Sequence, residues 1–165
     1  IIPTDYYNVK YFVNTRLEAD GVGYVNIEQV PKNRDVVDLH KVIISQSGPV
    51  DNQVLYRPFA GGTNSCCSRT YTCIYNRDLI KSDYEEQSVI KYIKTRFFRS
   101  LVKALKTTQH ATRNVYKLVP IQDFTVDSDI DWSQSINNID YQLCTKYGLT
   151  PDEMKYIADT IKPMD

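Results

Sequence analysis

Histidine is scarce in this chain: His40 and His110 are the two it has, far apart in sequence. The cysteines, Cys66, Cys67, Cys73 and Cys144, include no C-x-x-C pair. Together these absences argue against a zinc site. Two of the thiols are adjacent, and the chain is long enough to bury a core without staples, so a disulfide framework is not expected either. The thiols are read as free and the compartment as reducing, hence cytoplasmic. No run of about 18 apolar residues and no secretory apolar region occurs, so no segment is expected to cross a membrane. No Walker A lysine motif is present, which excludes a complete helicase motor. The most telling absence is of acid. From Gln87 to Gln122 there is not one Asp or Glu.

That gap sits inside a chain of zero formal net charge. Residues 1–86 carry a net of −2, residues 87–122 a net of +8, and residues 123–165 a net of −6. The neutral total therefore conceals a basic centre (Lys91, Lys94, Arg96, Arg99, Lys103, Lys106, Arg113, Lys117) and an acidic tail. With 165 residues, 42% hydrophobic and 24% charged, one folded domain with a small appendage is expected rather than disorder. The 13 tyrosines suit half-buried surfaces, interfaces and strands. The chain opens on "IIPTDYYNVK", without an initiator Met, which reads as a loop leading into a strand and as a piece of a larger protein.

Strand character dominates the first half. "VKYFV" (9–13) is β-branched and aromatic, "GYVNIEQV" (23–30) alternates, "HKVIISQS" (40–47) is a short apolar run ended by Gly48-Pro49, and "SRTYTCIY" (68–75) follows a turn-rich stretch. From about 83 to 106 the apolar positions Val89, Ile90, Ile93, Phe97, Leu101 and Leu105 recur at helical spacing. Ser82 or Asp83 would cap the start, and Lys91, Arg96, Arg99, Lys103 and Lys106 would lie on an arc opposite the apolar stripe. "VYKLVPI" (115–121) returns to strand character. In the tail, a helix from Ile136 to Tyr147 would end at Gly148, and Thr150-Pro151-Asp152-Glu153 is a capping box that opens a second.

Most motif-like strings have plainer readings. "FAGG" (59–62) has the glycines of an adenosylmethionine-site turn, but it leads into a strand-like run, and the Asn-Pro-Pro-Tyr motif of amino-methyltransferases is absent. "PDEMK" (151–155) has the letters of a restriction nuclease core, yet it crowds them into one helical turn where a cap explains them. Cys66 and Cys67 lack a ready base and are read as structural thiols. Asp127, Asp129 and Asp131 alternate like a calcium loop without its glycine and distal Glu, and a solvated acidic loop is the better reading.

The basic segment is the one strong functional signal. A solvated helix face usually interleaves acids, and this one has none. It runs on into "KTTQHATRN" (106–114), whose side chains suit phosphates and base edges. An internal role, with the acidic tail packed back on the basic helix, is the competing expectation.

The strings "CSRTY" (67–71), "KTRFFRSL" (94–101), "TQH" (108–110), "VPIQDF" (119–124) and the tail ending "IKPM" (161–164) occur in this order. They resemble the C-terminal part of bacterial restriction–modification proteins, in particular type IIG-like fused endonuclease/adenine-specific DNA methyltransferases. The resemblance covers residues 66–165 well and the first 65 loosely. It implies a target-recognition region that binds duplex DNA for catalytic parts located upstream or on a partner subunit. S-adenosylmethionine and Mg²⁺ would belong to the parent protein, with no cofactor in this chain.

The expectation is thus an α+β fold with a mixed or antiparallel sheet packed on one long amphipathic basic helix and two short C-terminal helices. Residues 1–124 would form the DNA-recognition domain, with 125–165 an acidic helical tail packed on it. The chain itself would carry no catalytic or metal-ligating residues. Lys103, Lys106 and Arg113 would hold phosphates, and Arg57, Asn64, Arg69, Gln109, His110 and Asn114 would complete the DNA-binding set. Two other readings stay open: a subunit-docking module such as a type I restriction subunit fragment, and a Mg²⁺-dependent nuclease fragment using Asp127–Asp131.

Overall fold

A computed structural model describes residues 3–13, 21–49 and 51–164; Ile1 and Ile2 of the expected opening loop lie outside them. The class is α+β. β1 (Val9–Phe12), β2 (Val22–Val25) and β5 (Ser65–Cys67) form one sheet in the order β2-β1-β5, with β1 antiparallel to β2 and parallel to β5. β3 (Val42–Ser45), β4 (Phe59–Ala60) and β6 (Tyr71–Ile74) form a second, antiparallel sheet in the order β4-β3-β6. Phe12 of the first sheet meets Phe59 of the second edge-on at 5.1 Å, and Phe59 meets Tyr71 at 5.7 Å, so an aromatic stack joins the two.

β3 is the central strand. Val42, Ile43 and Ile44 are all fully buried, as a short apolar run between two partners must be. Helix α1 (Asp83–Lys94) lies against β3 and β4, with Val89, Ile90 and Ile93 buried in the same core. That core extends into the tail, where Ile130, Trp132, Ile139, Leu143 and Ile161 belong to one cluster with Val42 and Phe98. The tail helices are α3 (Ile136–Lys146) and α4 (Pro151–Thr160), and α4 opens on the Thr150–Glu153 capping box. A smaller cluster of Val9, Val30 and Val37 lies under the first sheet.

The expected long basic helix is two helices. α1 stops at Lys94 and α2 (Arg96–Leu105) begins at Arg96, with Thr95 in extended geometry (ψ 152°) between them. Fully buried Thr95 donates its hydroxyl to Tyr92 O (2.7 Å) and accepts from Phe98 N (3.1 Å), so it closes one helix and caps the next. The freed Phe97 N–H goes to Asp140 Oδ1 of α3 at 2.7 Å. The periodic pattern hides the break, because Ile93 and Phe97 still point into one core.

Two expected strands differ for related reasons. "GYVNIEQV" ends as a strand at Val25, where Asn26 and Gln29 form a capping box around a 3₁₀ turn, Ile27–Gln29. The expected strand at 115–121 is a 3₁₀ turn, Arg113–Tyr116, followed by irregular chain. Pro120 has no N–H to give a ladder, and its carbonyl instead accepts from Tyr92 Oη at 2.8 Å.

Three cations of the two helices, Lys91, Arg96 and Arg99, point at backbone carbonyls. Arg99 is fully buried and donates to Thr95 O, Gln53 O and Lys94 O at 3.0–3.2 Å. Lys91 Nζ donates to the carbonyls of Trp132, Ser133 and Gln134, fixing the turn before α3. Arg96 Nε donates to Ile161 O just past the end of α4, where a cation also suits the helix dipole. The expected basic arc opposite the apolar stripe is therefore largely an inward-facing set of donors.

Replacing Arg99 by Met keeps most of its volume but removes its bonds to Lys94 O, Thr95 O and Gln53 O, of which the last two keep a backbone N–H partner; urea denaturation should show a loss of about 2 kcal/mol. The Thr150 N–H and hydroxyl hold the Glu153 carboxyl below the ordinary carboxylate range. A depressed carboxylate contributes stability above its unfolded value and loses it as pH falls through the folded one. The protection of the Thr150 amide, its exchange rate relative to the intrinsic rate at each pH, should therefore fall below about pH 4 in the wild type, and Glu153→Gln should remove that acid step.

Candidate nucleic-acid interface

The nine expected DNA-binding residues fall in three places. The first is an edge at the end of β3. Beyond Ser45 the second sheet continues in irregular chain: Gln46 N donates to Thr70 O (2.9 Å), Ala111 N donates to Gln46 O (2.7 Å), and Gly48 N donates to Gln109 O (2.8 Å). Ser47 and His110 form an isolated antiparallel bridge. Three segments, the 68–70 turn, 46–48 and 109–111, thus make one hydrogen-bonded edge. Arg69, Gln109 and His110 stand on it with exposed side chains. Arg57 precedes β4 by two residues, and because β4 runs antiparallel to β3 it enters at this same end. Arg113 and Asn114 follow the edge directly in the chain and are exposed.

Lys103 and Lys106 form the second group. Lys103 Nζ donates to Asn52 Oδ1 (2.9 Å) and Lys106 Nζ to Pro49 O (2.9 Å), so both are tied to the loop after β3. Burial pushes the Lys106 amine below its ordinary pKa. Packing there is close: a Cβ on Gly48 would stand 2.8 Å from Val54 O and 3.0 Å from Lys106 Nζ, so glycine is the residue that fits.

Asn64 is the third case. It has φ 50°, its side chain donates to Asn8 O (2.9 Å), and its carbonyl accepts from Lys10 N (3.0 Å). It is a turn residue that ties β5 to β1, at the other end of the second sheet from Arg69.

Among the described residues, Arg57, Arg69 and Arg113 make no hydrogen bond or ion pair within the chain, in contrast to Lys91, Arg96, Arg99, Lys103 and Lys106. Lys117, one turn beyond Arg113, is exposed and equally unpaired. Sequence reading placed Lys117 in the basic segment without separating it from the inward donors; its position past the end of α2 is the signal that could have done so.

The acidic loop is braced locally. Asp129 pairs with Lys146 at 2.7 Å, while Asp131 accepts from the Ser133 N–H and hydroxyl and from Gln134 Nε2. The bonds from Ser133 and then Gln134 hold the Asp131 carboxyl below its usual range. Among the described residues, the one group of three metal-ligating types with donor atoms within 4.8 Å of one another is His40, Asp83 and Glu86. Glu86 is buried there as a brace, accepting from Lys41 N (2.6 Å) and Gly62 N (3.0 Å).

No protein-family model matches the chain, no curated protein matches it, and no solved structure matches it.

If Lys106 serves the edge rather than a ligand, Lys106→Ala should cost about 1 kcal/mol and speed hydrogen exchange at the Gly48 and Ala111 amides, leaving amides in α3 unchanged.

Proposed function

We propose that this chain is a DNA target-recognition module of a restriction–modification system, binding duplex DNA in the cytoplasm for methyltransferase and endonuclease parts that lie upstream or on a partner subunit. One observation carries the reading: the cations that satisfy the fold and a group of unpaired ones are different residues, and that group flanks a single edge. Arg57, Arg69, Arg113 and Lys117 supply charge for phosphates, and Gln109, His110 and Asn114 supply donors and acceptors suited to base edges. The ordered resemblance of "CSRTY", "KTRFFRSL", "TQH" and "VPIQDF" to type IIG-like enzymes supports it independently. On this reading the module does no chemistry itself, and S-adenosylmethionine and Mg²⁺ are bound by the catalytic parts.

A subunit-docking role is the second reading. It is favoured by Leu118 (51% exposed) and Ile121 (78% exposed) beside an apolar groove of about 580 Å³ that Tyr116, Val119 and Phe124 help to line.

The test is binding of this chain to a labelled random-sequence duplex between about 50 and 200 mM salt. Affinity should fall steeply with salt, and Arg69→Ala/Arg113→Ala should reduce the log–log salt slope by about 2. Lys81→Ala/Lys155→Ala, which removes the same charge elsewhere, should leave the slope unchanged. Absence of binding at the lowest salt, or equal slopes for the two double variants, would reject the edge as a DNA surface. The docking reading instead expects a stable complex with a partner subunit that Ile121→Asp breaks.

A further inference from the structure

Cys67 closes β5 in the first sheet, and Cys73 lies within β6 in the second. Their Sγ atoms are 3.2 Å apart, although their strands are not hydrogen-bonded neighbours. Both thiols line a cavity of about 660 Å³ together with Lys41, Cys66 and Tyr71, and neither is fully buried, which gives a small oxidant a route to them. We propose that Cys67 and Cys73 form a reactive dithiol site that a hydroperoxide converts, reversibly, into a disulfide joining the two sheets.

The geometry needs little change. A disulfide places its sulfurs about 2.05 Å apart, so the pair must close by about 1 Å, which side-chain rotation can supply. The environment favours a thiolate at this pair. The hydrogen bond between the two thiols lowers Cys73 from its ordinary pKa, against burial, and the positive charge of Lys41 adds to the lowering. Lys41 is itself held in place by donating to Val37 O, Gly62 O and Ser65 Oγ. The Cys67 thiol is pushed up by that same hydrogen bond and by burial. Either thiol can donate the bond between them, so the two roles are exchangeable; with Cys73 attacking, Cys67 is the resolving sulfur.

The steps balance. The Cys73 thiolate attacks one oxygen of hydrogen peroxide, the O–O bond breaks, and with one proton the products are Cys73 sulfenic acid and water. The Cys67 sulfur then attacks the sulfenic sulfur; its proton leaves with the hydroxyl as a second water, and the disulfide forms. Two thiols are oxidised by two electrons and the peroxide is reduced to two waters; a dithiol reductant reverses the change.

Cys66 is the competing sulfur, being next to Cys67 and in the same cavity. Successive strand residues face opposite ways, and Cys66 packs against the Val9, Val30 and Val37 cluster. The enclosed turn, 68–70, carries Arg69, so the link would fix that side chain's base whether or not it meets DNA.

Trypsin makes the test direct. Cleavage after Lys41, Arg69 and Arg77 puts Cys66 and Cys67 on peptide 42–69 and Cys73 on peptide 70–77. The folded chain is treated with equimolar hydrogen peroxide, capped with N-ethylmaleimide, digested without reductant and weighed by mass spectrometry. The two peptides should appear linked, two hydrogens lighter than the sum of peptide 70–77 and peptide 42–69 with one N-ethylmaleimide on Cys66, and separate after dithiothreitol. Cys66→Ser should keep the link, Cys67→Ser and Cys73→Ser should lose it, and Cys67→Ser should leave a Cys73 sulfenic acid that dimedone captures. Unlinked peptides in the peroxide-treated wild type would overturn the proposal, as would a link that survives Cys67→Ser and disappears in Cys66→Ser.

Discussion

The fold depends on one kind of contact above others: a cation reaching a backbone carbonyl. Arg99 is its centre. Buried at the break between α1 and α2, it donates to the carbonyls of Lys94 and Thr95 on either side of the interruption, and it reaches Gln53 in the loop after β3. Lys91 and Arg96 do the same for the turn before α3 and the end of α4. A buried guanidinium without a carboxylate in contact is unusual, and burial pushes its pKa down to about 10, still far above neutrality. Asp140 is close enough to offset some of that cost. Its own carboxyl is pushed up by burial, while Phe97 N and the Arg96 and Arg99 charges pull it back. The excess positive charge of the central segment thus finds neutral oxygen, and the acidic tail contributes its carbonyls more than its carboxylates.

This arrangement separates two jobs that the charge count merges. Donors on the helices organise the interior, whereas Arg57, Arg69, Arg113 and Lys117 are spaced along loops and turns. A protein that read an anionic polymer with its helix face would have to surrender its own carbonyl contacts to do so. Placing Arg69 on the continuation of the second sheet, with Arg57 and Arg113 beside it, avoids that conflict, and it is the physical reason the proposed recognition surface lies on the edge and not on α2.

Much of this was legible in the sequence, and the exceptions share a cause. Helical spacing placed α1 through α2, the capping box placed α4, and the run at His40–Ser47 marked the buried strand. The break at Thr95, the end of β2 at Asn26 and the missing strand after Arg113 were not legible, because each turns on a short polar side chain or a proline that diverts one backbone group while the apolar pattern runs on unchanged. The site behaved likewise. Exposure separates Arg69 and Arg113 from Lys103 and Lys106, and exposure depends on which carbonyls happen to lie within a lysine's reach. Charge density in one dimension carries no record of that. The contact of Cys67 with Cys73 across two sheets was equally hidden, since the turn between them gives no periodic signal.

The ladder that runs from Thr70 through Gln46 to Ala111 also has a thermodynamic meaning. Loops that meet a partner ordinarily lose backbone freedom on doing so, and that loss weakens the complex. Here the backbone of the 68–70 turn and of 109–111 is already fixed by main-chain hydrogen bonds to a strand whose other end is the centre of the core. Only side-chain rotamers are left to order. Such an edge presents a fixed spacing of charges to whatever it meets, so it would favour partners by the pitch of their negative groups and tolerate poorly those that must bend to fit.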